Sequence, residues 1–299
     1  MYQIKRWYLM LTGKSVWHVN QDLGKHFVKN EVVGYYNNMK EKVTKMPELL
    51  SCNDLPKLNI ENGNFVHFPV AIFQYGLGAW DLYIETKDEI YARKFMQCAN
   101  WAIEHQDDQG RWNNFFYIFP DTPYGAMAQG EAASLLIRAY KYTNKNIYLD
   151  AAKQAIDYML QPITKGGVTE YDGEDVILRE YTNQPTVMNG WIFAWWGLYD
   201  YIMVGENIEY YKEILNKSLN SLMKYLPRFK CSYWSIYSLD GKMASPFYHN
   251  LHIAQMLAMY ELTGKNIFKE YAEDWTKQQK NPINKCVAFA KKAWQKIIE

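Results

Sequence analysis

The chain has 299 residues, 48% of them hydrophobic, which is enough apolar material for one large domain or two ordinary ones. Its formal net charge of +1 excludes a general electrostatic attraction to nucleic acid, although a local cationic cleft stays open. Cys52, Cys98, Cys231 and Cys286 lack both CxxC and metal-ligand spacing and read as buried or idle thiols of a reducing compartment.

At the N-terminus an apolar stretch at 7–12 is ended by Lys14, far too short for a membrane span, and no small-residue cleavage site follows. The chain is therefore expected to be cytoplasmic, at most peripheral to a membrane. Residues 1–66, punctuated by Pro47, Pro56 and Gly63, are expected to form an arm packed across the rest. Within that arm 27–43 has the pattern of a helix, and 58–68 reads as loop or short strand.

Residues 67–299 form the expected main domain, with four helical hairpins over 67–280. First helices fall near 67–86, 124–143, 187–204 and 247–263, and second helices begin near 88, 146, 207 and 266. Turns inside the hairpins are a few residues long. The connections between hairpins are longer, near 107–123, 161–186 and 228–246.

The hairpins repeat. Ile90, Ile147, Ile208 and Ile267 each open a second helix, and Tyr83, Tyr140, Tyr201 and Tyr260 stand seven positions before them. A period of about sixty residues made of two helices means units that cannot bury their faces alone and must stack. An all-α toroid or (α/α) barrel of about four hairpins follows. Such a ring gathers its long loops on one rim, together with the N-termini of the first helices. Loops on a rigid scaffold are where binding concentrates, and helix starts favour anions.

The rim loops hold the candidate residues. The first carries Arg111 and Trp112, a plausible sugar-binding pair, and leads to Gln129, Glu131 and Arg138 on the following helix. The second carries an acidic run from Glu170 to Asp175, then Arg179, Glu180 and Tyr181, with Asn189 opening the next helix. The third carries Tyr233, Trp234 and Tyr237, then Lys242, Tyr248, His249 and His252. The two histidines lack an evident third ligand, so no metal is expected. GxSxG, GxGxxG, Walker and HExxH patterns are missing, which leaves serine hydrolase, dinucleotide and ATP chemistry without a foothold. What remains is an acid among tyrosines, a kit suited to removing a proton beside a carboxylate. Phenols serve there as acid or base when their pKa falls from about 10 toward neutrality.

The segments YGAMAQGEAASLLIRAY (124–140), REYTNQPTVMNGWIFAWWGLYDY (179–201) and SIYSLDGKMASPFYHNLHIAQMLAMY (235–260) resemble the C-terminal catalytic domain of the D-glucuronyl C5-epimerase family. The resemblance runs over roughly residues 65–275. It implies a barrel of four helical hairpins and C5 inversion of a uronic acid in a heparan-type polysaccharide, without a cofactor. By position it assigns catalysis to Glu180, Tyr181, Tyr237 and Tyr248. Substrate contacts are expected from Arg111, Trp112, Gln129, Arg179, Asn189, Lys242 and His249. Where the family has Asp-Leu-Arg-His after its loop tyrosine, this chain has Ser238, Leu239, Asp240 and Gly241, so Lys242 is the nearest cation. A bacterial-type capsule, an exopolysaccharide or a smaller uronate glycan is the expected substrate. The protein would then sit beside a polysaccharide assembly complex, and a homodimer is compatible with all of this. The rival readings are a uronate lyase, a uronyl hydrolase, and a non-catalytic glycan-binding protein.

Overall fold

In the computed structural model, residues 15–60 and 63–298 are described, and the apolar stretch at 7–12 lies outside them. The arm contains one short helix, α1 (Lys40–Thr44), and an antiparallel strand pair, β1 (Lys57–Asn59) with β2 (Phe65–His67). Then come α2 (Pro69–Thr86) with α3 (Glu89–Glu104), and α4 (Ala126–Thr143) with α5 (Asn146–Met159). A second antiparallel pair, β3 (Thr169–Asp172) and β4 (Asp175–Leu178), interrupts the second long connection. The remaining helices are α6 (Met188–Ile202), α7 (Glu209–Tyr225), α8 (Pro246–Thr263), α9 (Asn266–Lys280) and α10 (Pro282–Ile298).

Burial separates the helices into two rings. α4 is buried without a break from Ala126 to Ala139, and α6 from Met188 to Tyr201. A helix buried on all sides belongs inside. By contrast α7 buries Tyr211, Ile214, Leu215, Ser218, Leu219 and Leu222, a single stripe at helical spacing, as expected of an outer layer. Inner helices pack in sequence, α2 on α4, α4 on α6 and α6 on α8, so the hairpins follow one another around an all-α toroid. The α4–α6 approach needs glycine: a Cβ on Gly197 would lie 2.3 Å from the Gly130 carbonyl oxygen.

One backbone hydrogen bond recurs at the position of the repeated tyrosine. The N–H three residues before each anchoring isoleucine donates to that tyrosine's carbonyl: Lys87 to Tyr83 (2.8 Å), Asn144 to Tyr140 (2.7 Å), Gly205 to Tyr201 (2.8 Å) and Gly264 to Tyr260 (2.8 Å). Lys87, Asn144 and Gly264 take left-handed φ values of 58°, 54° and 69°, the usual end of a helix. Thr86, Thr143 and Thr263 reinforce the turn by donating to carbonyls four residues back. The tyrosine thus marks a cap, and it lies at the end of the toroid away from the long loops.

The arm closes that end. Asp81, Arg138 and Asp200 each sit twelve residues into their helices α2, α4 and α6. Asp81 accepts from the Tyr35 N–H (3.0 Å), Arg138 donates to the Gly34 carbonyl (2.7 Å), and Asp200 accepts from the Tyr36 hydroxyl (2.5 Å). Arg138 and Asp200 also form a buried ion pair at 2.6 Å. At 1.5 Å per residue this floor lies about 18 Å from the helix starts. The expected helix over 27–43 shrinks to α1, because Asn30 takes φ 62° and the amides of Gly34 and Tyr35 bond to His26 and Asp81 instead of to a helical turn. No described helix is long and apolar enough to cross a membrane.

Candidate active site

At the opposite end each long loop returns over the hairpin it follows and caps its inner helix. Asn114 Oδ1 accepts from the Val70 N–H of α2 (3.3 Å), the Arg179 carbonyl from Ala126 of α4 (2.8 Å), and the Tyr237 carbonyl from Met188 of α6 (3.4 Å). For α8 the cap is local: Ser245 Oγ accepts from the Tyr248 N–H. These bonds take N–H groups that the sequence had offered to an anionic ligand, and they fix the loop residues in place.

Glu180 is set by two such contacts. Its backbone follows the Arg179 carbonyl that caps α4, and its carboxyl lies against Gly190 in the first turn of α6, where a Cβ would be 2.1 Å from Oε2. The side chain is enclosed, with the residue 7% exposed. Burial pushes the carboxyl up to about 7, against a lowering hydrogen bond from the Tyr181 phenol.

The other expected catalytic residues gather around it. Tyr181 stacks on Phe115 with ring centroids 4.6 Å apart. Tyr237 and Tyr248 lie 4.6 Å apart, centroid to centroid, and share a hydrogen bond. Burial, then neighbouring Glu180 and Tyr248, holds the Tyr181 phenol well above its usual range. Burial, Tyr248, Tyr181 and Glu180 do the same to Tyr237. The expectation of phenols lowered toward neutrality is therefore reversed. Tyr181 and Tyr237 are held in the protonated form, and Glu180 is the group of this cluster shifted toward neutrality.

Below the tyrosines runs a column of buried polar side chains. Gln129, Glu131, Asn189 and Gln255 all have buried atoms without a hydrogen-bond partner among the described residues. Gln74 Nε2 donates to Glu131 Oε1 (2.8 Å), and Gln255 Nε2 to the Asn189 carbonyl (3.1 Å). Gln129 and Asn189, expected as substrate contacts, line this interior. Glu131, a candidate in the sequence without an assigned role, is fully buried here. Burial raises its carboxyl to about 8, a hydrogen bond from Gln74 and the Lys42 charge oppose the rise, and Glu180 adds to it. Burial lowers Lys42 itself to about 8, against the Glu131 charge.

Several of the expected substrate contacts have partners within the chain. Trp112 is 1% exposed, donates to the Ala102 carbonyl and packs edge-on against Phe73, leaving no face for a sugar. Its neighbour Arg111 pairs with Asp107 at 2.8 Å and lies 4.1 Å over the Tyr124 ring. Arg179 is clamped by Glu170 and the Gln184 carbonyl, and Lys242 pairs with Asp240 at 3.6 Å. His249 is fully buried, stacked 3.6 Å on Trp234, with Nδ1 facing the Ser235 amide and Nε2 the Trp275 carbonyl. A carbonyl only accepts, so Nε2 carries the proton and Nδ1 receives one. Burial lowers His249 to about 4, which keeps it neutral.

These features define an all-α toroid with an acid and three tyrosines on its loop rim. The D-glucuronyl C5-epimerase C-terminus family matches residues 106–277, more than half of the chain, and the chain belongs to that family. D-glucuronyl C5-epimerase of Caenorhabditis elegans is 26% identical over 220 residues, covering 64% of this chain and 36% of that enzyme. An uncharacterized protein of Methanocaldococcus jannaschii is 32% identical over 160 residues, 50% of this chain and 51% of the relative. The chain thus spans between about a third and about half of the length of these relatives. Among solved structures, UGL with dGlcA-Glc-Rha-Glc gives a TM-score of 0.49 at 12% identity, covering 84% of this chain and 66% of that one.

Proposed function

We propose that the protein is a uronate C5-epimerase-like enzyme, which takes the C5 proton from a uronic acid in an acidic polysaccharide and returns one to the opposite face. The observation behind this reading is the meeting of Glu180 with Tyr181, Tyr237 and Tyr248 at the toroid rim of a chain in this family. C5 lies next to the carboxylate, so removing its proton spreads charge into an enolate-like anion. A base with a pKa near the working pH is best suited to that step. Glu180, near 7, meets the condition, and the hydrogen bond from Tyr181 steadies its ionised form. Tyr237, held protonated and hydrogen-bonded to Tyr248, gives its proton only to a far stronger base, and the enolate-like carbanion is one, so it is the acid for the opposite face. The phenols also offer donors to the developing oxyanion, where they count most in a water-poor site.

Glu131 gives a second reading some support, because hydrolysis of a uronyl glycan wants two carboxyl groups and the sequence offered only Glu180 a clear role. Product analysis separates the possibilities. An epimerase converts glucuronate to iduronate in an unsulfated glucuronic-acid polymer without shortening it. Lyase action leaves unsaturated ends that absorb ultraviolet light, and hydrolysis shortens the chain without them. Affinity without any product would leave only glycan binding and defeat the proposal.

A further inference from the structure

The fourth hairpin breaks the pattern of the other three. Hairpins one to three are each followed by a long loop that returns to the rim, whereas α8 and α9 are followed directly by α10. α10 meets the rest of the protein through small and polar side chains. Ala288, 1% exposed, completes a core with Trp234, Ile236, Met243 and Ala244 of the third long loop. Gln295 binds that loop twice, accepting from the Met243 N–H (2.9 Å) and donating to the Gly241 carbonyl (3.2 Å). The apolar side of α10 is turned to solvent instead. Ile283, Val287, Ala290 and Trp294, at steps of four, three and four residues, share one face of the helix, and all four are exposed. Ile283 is 71%, Val287 44% and Trp294 63% exposed. An outer helix ordinarily turns such a stripe inward, as α7 does.

The charge of α10 says what covers the stripe. The helix contains Lys285, Lys291, Lys292 and Lys296 and no Asp or Glu, and α9 ends in Lys277 and Lys280 just before it. A second copy of the chain on this stripe would bring two helices of like charge together, which opposes association. An anionic lipid surface offers the opposite charge and takes the apolar side chains in among its headgroups. Tryptophan suits that depth, because its ring is apolar and its N–H is polar. We propose that α10 docks the protein on an anionic membrane surface, with Ile283, Val287 and Trp294 entering the lipid and the lysine charge drawn to the headgroups. The helix lies on the bilayer and does not cross it. Because α10 is bonded to the third long loop, docking brings the rim of the toroid to the lipid surface. This surface needs nothing from the uronate chemistry, and failure of either leaves the other intact.

The test is co-sedimentation of the full chain with vesicles of equimolar phosphatidylcholine and phosphatidylglycerol and, in parallel, of phosphatidylcholine alone. Wild type is expected to partition onto the mixed vesicles about tenfold or more better than onto the neutral ones, and added salt is expected to release it. I283S/W294S should lose about tenfold or more of that partitioning, with circular dichroism and thermal midpoint unchanged, because both positions already face water. K285Q/K291Q, also at exposed positions, should reduce the preference for the mixed vesicles. Wild type that stays in the supernatant with the mixed vesicles, or that binds both vesicles equally, would overturn the proposal. So would wild-type partitioning by I283S/W294S, or by K285Q/K291Q should the first variant unfold. Sedimentation velocity without lipid supplies the remaining outcome: a wild-type dimer that I283S/W294S converts to monomer would give the stripe to a second copy and overturn the membrane assignment.

Discussion

The carboxyl of Glu180 rests against the α-carbon of Gly190, so close that a methyl group there would stand 2.1 Å from Oε2. The base proposed for the reaction is therefore positioned by an absence of side chain in the first turn of α6. Gly190→Ala should fold with a loss of about 1–3 kcal/mol, the usual result of overpacking, and should lose most of its activity because Glu180 must move. Glu180→Gln keeps the shape and should lower the rate by about 10²–10⁴-fold, the range expected when a general base is removed. Denaturant melts and C5-exchange rates on both variants check this. Normal exchange in Glu180→Gln would remove Glu180 from the mechanism.

The pH profile follows from the same carboxyl. Burial raises Glu180 to about 7, so its ionised, basic form is lost as pH falls through that value. The rate constant kcat/KM should rise with pH around 7 and then level off. A profile already flat between pH 5 and 6 would assign the base to another group.

Glu131 makes a prediction about stability. Its folded-state value of about 8 lies above the ordinary 4.5, so the folded protein holds a proton that the unfolded chain releases. Stability from this group is complete below the ordinary carboxylate range and is lost as pH rises toward 8. The slope is at most about 1.4 kcal/mol per pH unit. The surrounding groups are Gln74, Lys42 and Glu180. Glu131→Gln should flatten the decline between pH 5 and 8, which urea unfolding at several pH values will reveal.

Trp112 tests the division between core and site. Trp112→Ala should cost about 3–5 kcal/mol, the range for emptying a large buried aromatic. A variant that keeps wild-type stability and loses only glycan affinity would return Trp112 to the binding surface.

Much of the fold was legible because the repeat has a local cause. The tyrosine-to-isoleucine spacing reflects a capping hydrogen bond inside each turn, and local bonds leave regular traces in sequence. The convergence of Glu180, Tyr181, Tyr237 and Tyr248 came from resemblance, since no pattern within 180–248 tells which loop residues meet. Trp112 and His249 looked available because they flank loops and helix starts. Their burial depends on partners such as Phe73 and Trp275, which are distant in sequence. Glu131 hid in a helix where acids usually face water, and only its neighbours Gln74 and Lys42 mark it as interior. The arm over 27–43 looked helical because a run of residues buried against several helices at once resembles an apolar helix face.

The most direct measurement is proton nuclear magnetic resonance of an unsulfated glucuronic-acid polymer incubated with the protein in deuterated buffer. Deuterium appearing at C5 together with iduronate signals, and neither with Glu180→Gln, is the predicted result. A wild-type protein that is folded and binds the polymer, yet leaves every C5 proton in place, would contradict the account.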